Sequence, residues 1–216
     1  MKNKEILAHI DHTNLKVDAK WEDIEKLCEE AIEYKMASVC IQPTYVKKAR
    51  ENFKKLNIGT VIGFPNGYTT ERVKEYEAKA LINDGADEID MVIDITKVKN
   101  GEFDEIEQDM KDMRKTCAGR VLKIIVETCY LTEEELIKLC KIVKKSKADY
   151  IKTSTGFGQS GADLKDIQIM KENIGKNLRI KASGGIRTKE DMEKFIEAGC
   201  DRIGTSSAKV LFEKDE

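Results

Sequence analysis

No long apolar run, no C-x-x-C pair and no excess of either charge occurs in this sequence. The first absence excludes a membrane-spanning helix, which needs about 20 consecutive apolar residues. The six cysteines, Cys28, Cys40, Cys117, Cys129, Cys140 and Cys200, are scattered and carry no histidine cluster beside them, so zinc-ligand spacing is missing and no metal is expected. With no signal-peptide pattern, they read as reduced thiols of a cytoplasmic protein. The net charge of −2 comes from 38 basic and 40 acidic residues spread along the chain. That balance argues against nucleic acid or an anionic membrane as a partner, because counterion-driven binding needs a basic face. Only two prolines occur and no Pro- or Ser-rich linker appears, so residues 1–216 are expected to form one domain.

What is present is alternation. Short β-branched runs at His9–Thr13, Ser38–Gln42, Thr60–Phe64, Glu88–Asp94, Val121–Glu127, Tyr150–Ser154, Leu178–Ser183 and Arg202–Ser206 read as strands. Amphipathic runs such as Glu22–Tyr34, Glu71–Asp84, Phe103–Cys117 and Glu133–Lys145 lie between them. Thr132-x-x-Glu135 and Thr188-x-x-Asp191 are capping-box signatures, and Gly85 and Gly199 stand where helices end. Alternating β and α elements imply a parallel sheet. Eight units in 216 residues leave about 27 residues each, which predicts an α/β fold, a single (β/α)8 TIM barrel. The alternative is a doubly wound open sheet. It usually carries a glycine-rich turn after its first strand, and Asn14-Leu15-Lys16-Val17 has no glycine. Three segments also share one template: Gly85-Ala86-Asp87-Glu88-Ile89-Asp90, Lys147-Ala148-Asp149-Tyr150-Ile151-Lys152 and Gly199-Cys200-Asp201-Arg202-Ile203-Gly204. Each reads as a helix end, a turn with Asp, and a strand of form x-apolar-Z, as repeated βα units would leave.

Taken across the strands, the Z position collects Asp11, Cys40, Asp90, Lys123, Lys152, Lys181 and Gly204. If the flanking apolar residues face the helices, every Z residue points into the barrel. Any one of these charges alone would read as an exposed strand end. Five at one frame position do not, and the opposite register would set the charges against the helix layer. Buried charges cost several kcal/mol each unless they are paired or used. Crowded, desolvated lysines are expected to have lowered pKa values, and a neutral lysine forms a Schiff base with a carbonyl. Lys152 is the candidate, since Lys123 and Lys181 lie on the strands either side of its own. Asp90 is positioned to shuttle protons, and Asp11, Cys40 and Lys123 complete the substrate-facing set, although a buried thiol is more often a small core residue.

Glycines and hydroxyls end the last two strands: Gly184-Gly185 after the seventh, and Gly204-Thr205-Ser206-Ser207 at the eighth. Barrels commonly bind phosphate there through backbone N–H groups, and glycine lets the backbone approach the anion. Thr155 and Gly156, just past Lys152, add another wall. His9 and His12 lack a third ligand and read as structural. A different barrel aldolase or dehydratase would keep Lys152, a sugar-phosphate isomerase would keep the glycine loops without the lysines, and a non-catalytic sensor would not need lysines that perturb one another.

These stretches in this order resemble deoxyribose-phosphate aldolase over nearly the whole chain. They are Ile10-Asp11-His12-Thr13, Ser38-Val39-Cys40-Ile41, Gly85 to Val92, Lys123-Ile124-Ile125-Val126-Glu127-Thr128, Ile151 to Gly156, Lys181 to Arg187 and Arg202 to Ser207. The resemblance implies reversible cleavage of 2-deoxy-D-ribose 5-phosphate to acetaldehyde and D-glyceraldehyde 3-phosphate, in the breakdown of deoxyribonucleosides. By matching motif, Lys152 is implied as the Schiff-base lysine, Lys181 as the neighbour that lowers its pKa, and Asp90 as the proton relay. Thr13 and Thr155 join the substrate contacts, and Gly156, Gly184, Gly185, Gly204, Ser206 and Ser207 the phosphate clamp. No metal or organic cofactor is implied, the partners are the sugar phosphate and aldehydes, and a homodimer is expected. The sequence departs from the family in three places. Lys209–Glu216 lacks the terminal tyrosine some members carry, Gly158-Gln159-Ser160-Gly161 is more polar than usual, and Asp94 replaces a common asparagine.

Overall fold

The structure is a computed structural model that describes residues 1–212. Residues 213–216, the end of the stretch compared with the tyrosine-ended tail, lie outside the described residues. Eight strands pair in parallel: β1 (Ile10–Asn14), β2 (Ser38–Ile41), β3 (Ile58–Ile62), β4 (Glu88–Val92), β5 (Val121–Ile125), β6 (Tyr150–Lys152), β7 (Arg179–Ser183) and β8 (Arg202–Thr205). They follow chain order and close with β8 against β1, so the barrel is formed and the open sheet is not. Helices α1 (Asn3–Leu7), α2 (Trp21–Glu33), α3 (Val46–Asn52), α4 (Glu71–Asn83), α5 (Ile95–Asn100), α6 (Phe103–Thr116), α7 (Glu133–Ser146), α8 (Leu164–Ile174) and α9 (Lys189–Ala198) precede or connect them.

Local chemistry sets these boundaries. At α7 the Thr132 hydroxyl accepts from the Glu135 N–H at 3.2 Å and the Glu135 carboxylate accepts from the Thr132 N–H at 2.7 Å. Acids fill the first turn and Lys144 and Lys145 the last, matching the helix dipole. Thr188 and Asp191 repeat the device at α9. Every strand differs by one or two residues at one end or both from its sequence-based bounds, and hydrogen bonds account for two of the differences. The run read to Asp94 stops at Val92, because the Asp94 carboxylate caps α5 by accepting the Thr96 N–H at 2.8 Å. The strand expected from Thr60 begins at Ile58, whose N–H is taken by Asp87 at 3.0 Å.

That last bond explains the repeated template. Asp87 accepts from Ile58 of β3, Asp149 from Leu122 of β5 at 2.8 Å, and Asp201 from Ile180 of β7 at 3.0 Å. In each repeat an aspartate just before an even strand satisfies a backbone donor at the start of the odd strand beside it. Gly85, Lys147 and Gly199 each turn the chain with positive φ before that aspartate. The middle residues of the x-apolar-Z frame, Ile89, Ile151, Ile180 and Ile203, are buried with the helix faces in one apolar core. The Z residues are thereby left to the barrel interior.

Candidate active site

The interior of the barrel is ionic. Asp11, Glu88, Asp90, Lys123 and Lys181 are at most 1% exposed, Lys152 is 3% exposed, and the Arg202 side chain reaches inward from β8. Lys123 Nζ donates to Asp90 Oδ1 at 2.8 Å and to Glu88, and stands 3.5 Å from Asp11 Oδ2. Lys181 Nζ pairs with Asp11 Oδ2 at 2.5 Å and Asp90 Oδ2 at 2.9 Å. Arg202 pairs with Asp11 and, at 3.2 Å, with Glu88. Lys152 Nζ has one carboxylate contact among these, Asp90 Oδ2 at 2.8 Å.

Counting charges shows which cation the layer holds least firmly. Three carboxylates face four cations within this cluster, so the fully ionised set carries one surplus positive charge in a desolvated space. The cation with the fewest carboxylates is Lys152. Burial lowers its pKa, Asp90 opposes that, and Lys181 adds to the lowering. Lys123 and Lys181 move the other way: burial disfavours their charge, but Asp90 and Asp11 outweigh it, with Glu88 adding to Lys123. The expectation that crowding lowers every lysine is therefore corrected. It holds for Lys152 and fails for the two whose carboxylates outnumber their cationic neighbours. Burial works against ionised Asp90 and Asp11, yet the surrounding cations hold both carboxyls below the usual range.

Above this cluster, at the carboxyl ends of the strands, lies a cavity of about 260 Å³. Lys152, Thr13, Thr155, Gly156, Gly184, Gly185, Gly204 and Ser206 line it, so most of the expected residues meet in one place. Gly156, Gly184 and Gly185 have φ of 86°, 84° and 76°, conformations that admit glycine readily. Gly161 is as constrained by contact: a Cβ there would fall 2.1 Å from the Gly184 carbonyl oxygen. The Ala162 N–H donates to the Ser183 and Gly184 carbonyls at 3.1 Å, stitching the polar loop after β6 to the glycine turn after β7. A Cβ on Gly204 would lie 3.1 Å from Lys181 Cε, so this glycine also makes room for the lysine stem.

Other expected residues sit elsewhere. Asp11 and Lys123 belong to the ionic layer and do not line the cavity. Cys40 is buried beside that layer and burial pushes its thiol pKa up. Ser207 is outside the lining, and its N–H is taken by the Thr205 hydroxyl at 2.9 Å.

Residues unnoticed in the sequence also contribute. Glu88, Tyr150 and Arg202 occupy the x position of the frame, which shares a strand face with Z, so the alternation that identified Asp90 identifies them too. The Arg179 and Arg202 guanidiniums lie 4.0 and 5.6 Å from the Tyr150 ring centroid. Lys16 and Arg187 bring positive charge to the cavity lining. A second cavity of about 270 Å³ shares Thr155 and Phe157 with the first and is lined by Tyr68, Tyr130 and Glu127 among others.

A family model described as DeoC/LacD family aldolase matches residues 6–208. The chain is 54% identical over 214 residues to the deoxyribose-phosphate aldolase of Clostridioides difficile (strain 630), covering 98% of both chains. It is 51% identical over 217 residues to that of Clostridium botulinum (strain Alaska E43 / Type E3), covering 100% of this chain and 98% of the relative. Among solved structures, a tetrameric deoxyribose phosphate aldolase from Aeropyrum pernix superposes with a TM-score of 0.91 at 31% identity, covering 97% of this chain and 91% of that one.

Proposed function

The chain belongs to the DeoC/LacD family of aldolases, and from that premise we propose that it cleaves 2-deoxy-D-ribose 5-phosphate reversibly through a Schiff base on Lys152. The observation that carries the reading is the asymmetry of the buried cluster. Of its lysines, Lys152 alone is held toward the neutral form and alone lines the cavity.

The neutral Lys152 amine adds to the C1 carbonyl of the open-chain sugar, and loss of water gives a protonated imine. The C3 hydroxyl loses its proton as the C2–C3 bond breaks, releasing D-glyceraldehyde 3-phosphate. The bonding pair moves onto C2 and into the imine, giving an enamine. Protonation at C2 and addition of water then release acetaldehyde and restore the amine. Asp90 Oδ2, 2.8 Å from Lys152 and 2.9 Å from Lys181, is the station for proton transfer, with charged Lys181 as its source. Asp11 and Lys123 set the charge of the layer beneath. The phosphate is assigned to the glycine loops after β6, β7 and β8, with Lys16 and Arg187 balancing its charge. Thr13 and Thr155 are assigned to the sugar.

The same reading makes the protein a homodimer of the cytoplasm that serves deoxyribonucleoside breakdown. Six unpaired cysteines suit a reducing compartment, and no described helix is long and apolar enough to cross a membrane.

Incubation with acetaldehyde, borohydride reduction and peptide mass spectrometry test the assignment. An ethyl adduct confined to Lys152 is expected. An adduct on Lys123 or Lys181 would overturn the roles while keeping the aldolase. Labelling no greater than on surface lysines would sink the Schiff-base reading.

A further inference from the structure

Three residues other than glycine have positive φ among the described residues: Lys35, Glu127 and Lys147. Lys35 and Lys147 are exposed and follow α2 and α7, where a left-handed residue ends a helix in the ordinary way. Glu127 is different. It lies two residues past β5, has φ 52° and ψ 67°, and is 4% exposed. Backbone outliers of this kind concentrate at functional sites.

The ladder explains the conformation. The Val126 N–H donates to the Lys152 carbonyl at 3.0 Å and the Thr128 N–H to the Thr153 carbonyl at 2.9 Å. Between those bonds one chain advances two residues and the other one, so Glu127 is an extra residue, a bulge that re-aims its side chain. The carboxylate turns onto Thr155. The Thr155 N–H donates to Oε1 and Oε2 at 3.1 and 3.2 Å, and the Thr155 hydroxyl donates to Oε2 in a short bond. The Phe157 N–H donates back to Thr155 Oγ1 at 3.0 Å. The loop seats tightly on this arrangement, since a Cβ on Gly158 would fall 2.8 Å from Cys129 Sγ and 3.2 Å from Glu127 Oε1.

A threonine hydroxyl has one proton and two lone pairs. Here Glu127 takes the proton and Phe157 fills one lone pair. One lone pair of Oγ1 is left, on the wall residue that both cavities share. We propose that Glu127 is a positioning residue of the aldol reaction, which fixes Thr155 as a hydrogen-bond acceptor for a hydroxyl of the sugar. The proposal rests on the Lys152 reading above. It makes Thr155 select a donating group: a sugar hydroxyl satisfies the lone pair, and a carbonyl in its place does not.

Glu127→Gln, Thr155→Val and the double variant would be compared in cleavage of 2-deoxyribose 5-phosphate, with thermal midpoints recorded alongside. Each single change is expected to lower kcat/KM by about tenfold or more, the worth of one well-placed buried hydrogen bond. The double variant is expected to lose no more than Thr155→Val alone, because Glu127 acts through the hydroxyl that variant lacks. Thr155→Ser keeps the hydroxyl and should keep most of the activity and the full cost of Glu127→Gln. Additive losses, or a Glu127→Gln enzyme with a lowered thermal midpoint and unchanged kcat/KM, would overturn the proposal and leave Glu127 a structural bulge. If Glu127→Gln does not fold, Glu127→Asp in the same cycle withdraws the carboxylate from Thr155 and carries the same two outcomes. Borohydride trapping of the unmodified enzyme at Lys152 is read separately, so failure of the Schiff base and failure of the Glu127–Thr155 coupling give different results.

Discussion

Asp90 Oδ2 holds Lys152 at 2.8 Å and is at the same time 2.9 Å from Lys181 Nζ. One oxygen thus joins the lysine that is held toward neutrality to a lysine that is held charged, and several expected outcomes follow from that asymmetry.

Replacing Lys181 by leucine removes a positive charge that lowers the Lys152 pKa and leaves Asp90 Oδ2 to Lys152, while Lys123 stays on Oδ1. Both effects raise the pKa of Lys152. On the proposed mechanism the neutral amine is the nucleophile and Lys181 the proton source, so the acid limb of the kcat/KM profile should move to higher pH, and activity at neutral pH should fall by about 100-fold or more. A pH–rate profile of the variant checks both, and an unmoved acid limb would remove Lys181 from its role.

Asp90→Asn leaves Lys123, Lys152 and Lys181 together without their shared carboxylate. Breaking a buried ionic group costs about 3–5 kcal/mol. Urea unfolding should report a loss of that order, and turnover should fall because the assigned proton station is gone, although Lys152 is then neutral more readily.

Arg202 lies on the first residue of β8, yet its ion pairs with Asp11 and Glu88 tie it to the same layer. Arg202→Met is expected to destabilise by about 3–5 kcal/mol, because Asp11 and Glu88 each lose one ion-pair partner and keep only their lysines. Arg202→Met with Asp11→Asn should recover part of that loss, which denaturant melts of the single and double variants measure.

Acid should unfold the protein in two stages. Burial lowers the pKa of His12, so the folded state resists a proton that the unfolded chain takes up at about pH 6.5, and stability declines as pH falls from there. Asp11 and Asp90 have depressed values, so their contribution is full above the unfolded carboxylate pKa of about 3.9 and is lost as pH falls through and below it. Urea midpoints taken between pH 7 and pH 3 should fall in these two windows, and a midpoint that rises on acidification would contradict the sign.

Gly161→Val drives a side chain into the Gly184 carbonyl and displaces the turn assigned to phosphate. KM for the phosphorylated sugar should rise by about tenfold or more, as expected for lost charge-assisted hydrogen bonds. Unphosphorylated 2-deoxyribose should be affected less, and steady-state kinetics on both substrates make the comparison.

The barrel and the heart of its interior are legible in the sequence because both depend on period. Strand alternation puts Asp11, Asp90, Lys123, Lys152 and Lys181 on one face whatever the details of packing, and the closed sheet brings them together. The pKa directions are not legible in this way. They depend on which carboxylates reach which lysine across the staggered strands: alternation sets Glu88 and Arg202 on the inward face, but not which charges they meet there. Glu127 is hidden for another reason. Its role comes from one extra residue in a ladder, which leaves no periodic trace.

The ionic layer also imposes an order of events on a chain made from its amino end. Asp11, Glu88 and Asp90 are synthesised before Lys152, Lys181 and Arg202, and in the first five strands only Lys123 stands against them. A sheet of the first five strands would have to enclose three carboxylates with a single cation, so it gains little by closing early. The pairing of Arg202 with Asp11 spans 191 residues of chain and seals β8 to β1. Late compaction is the expected consequence: a ribosome-bound fragment ending before β7 holds Lys152 without Lys181 or Arg202 and should be an open chain that acetaldehyde does not label selectively.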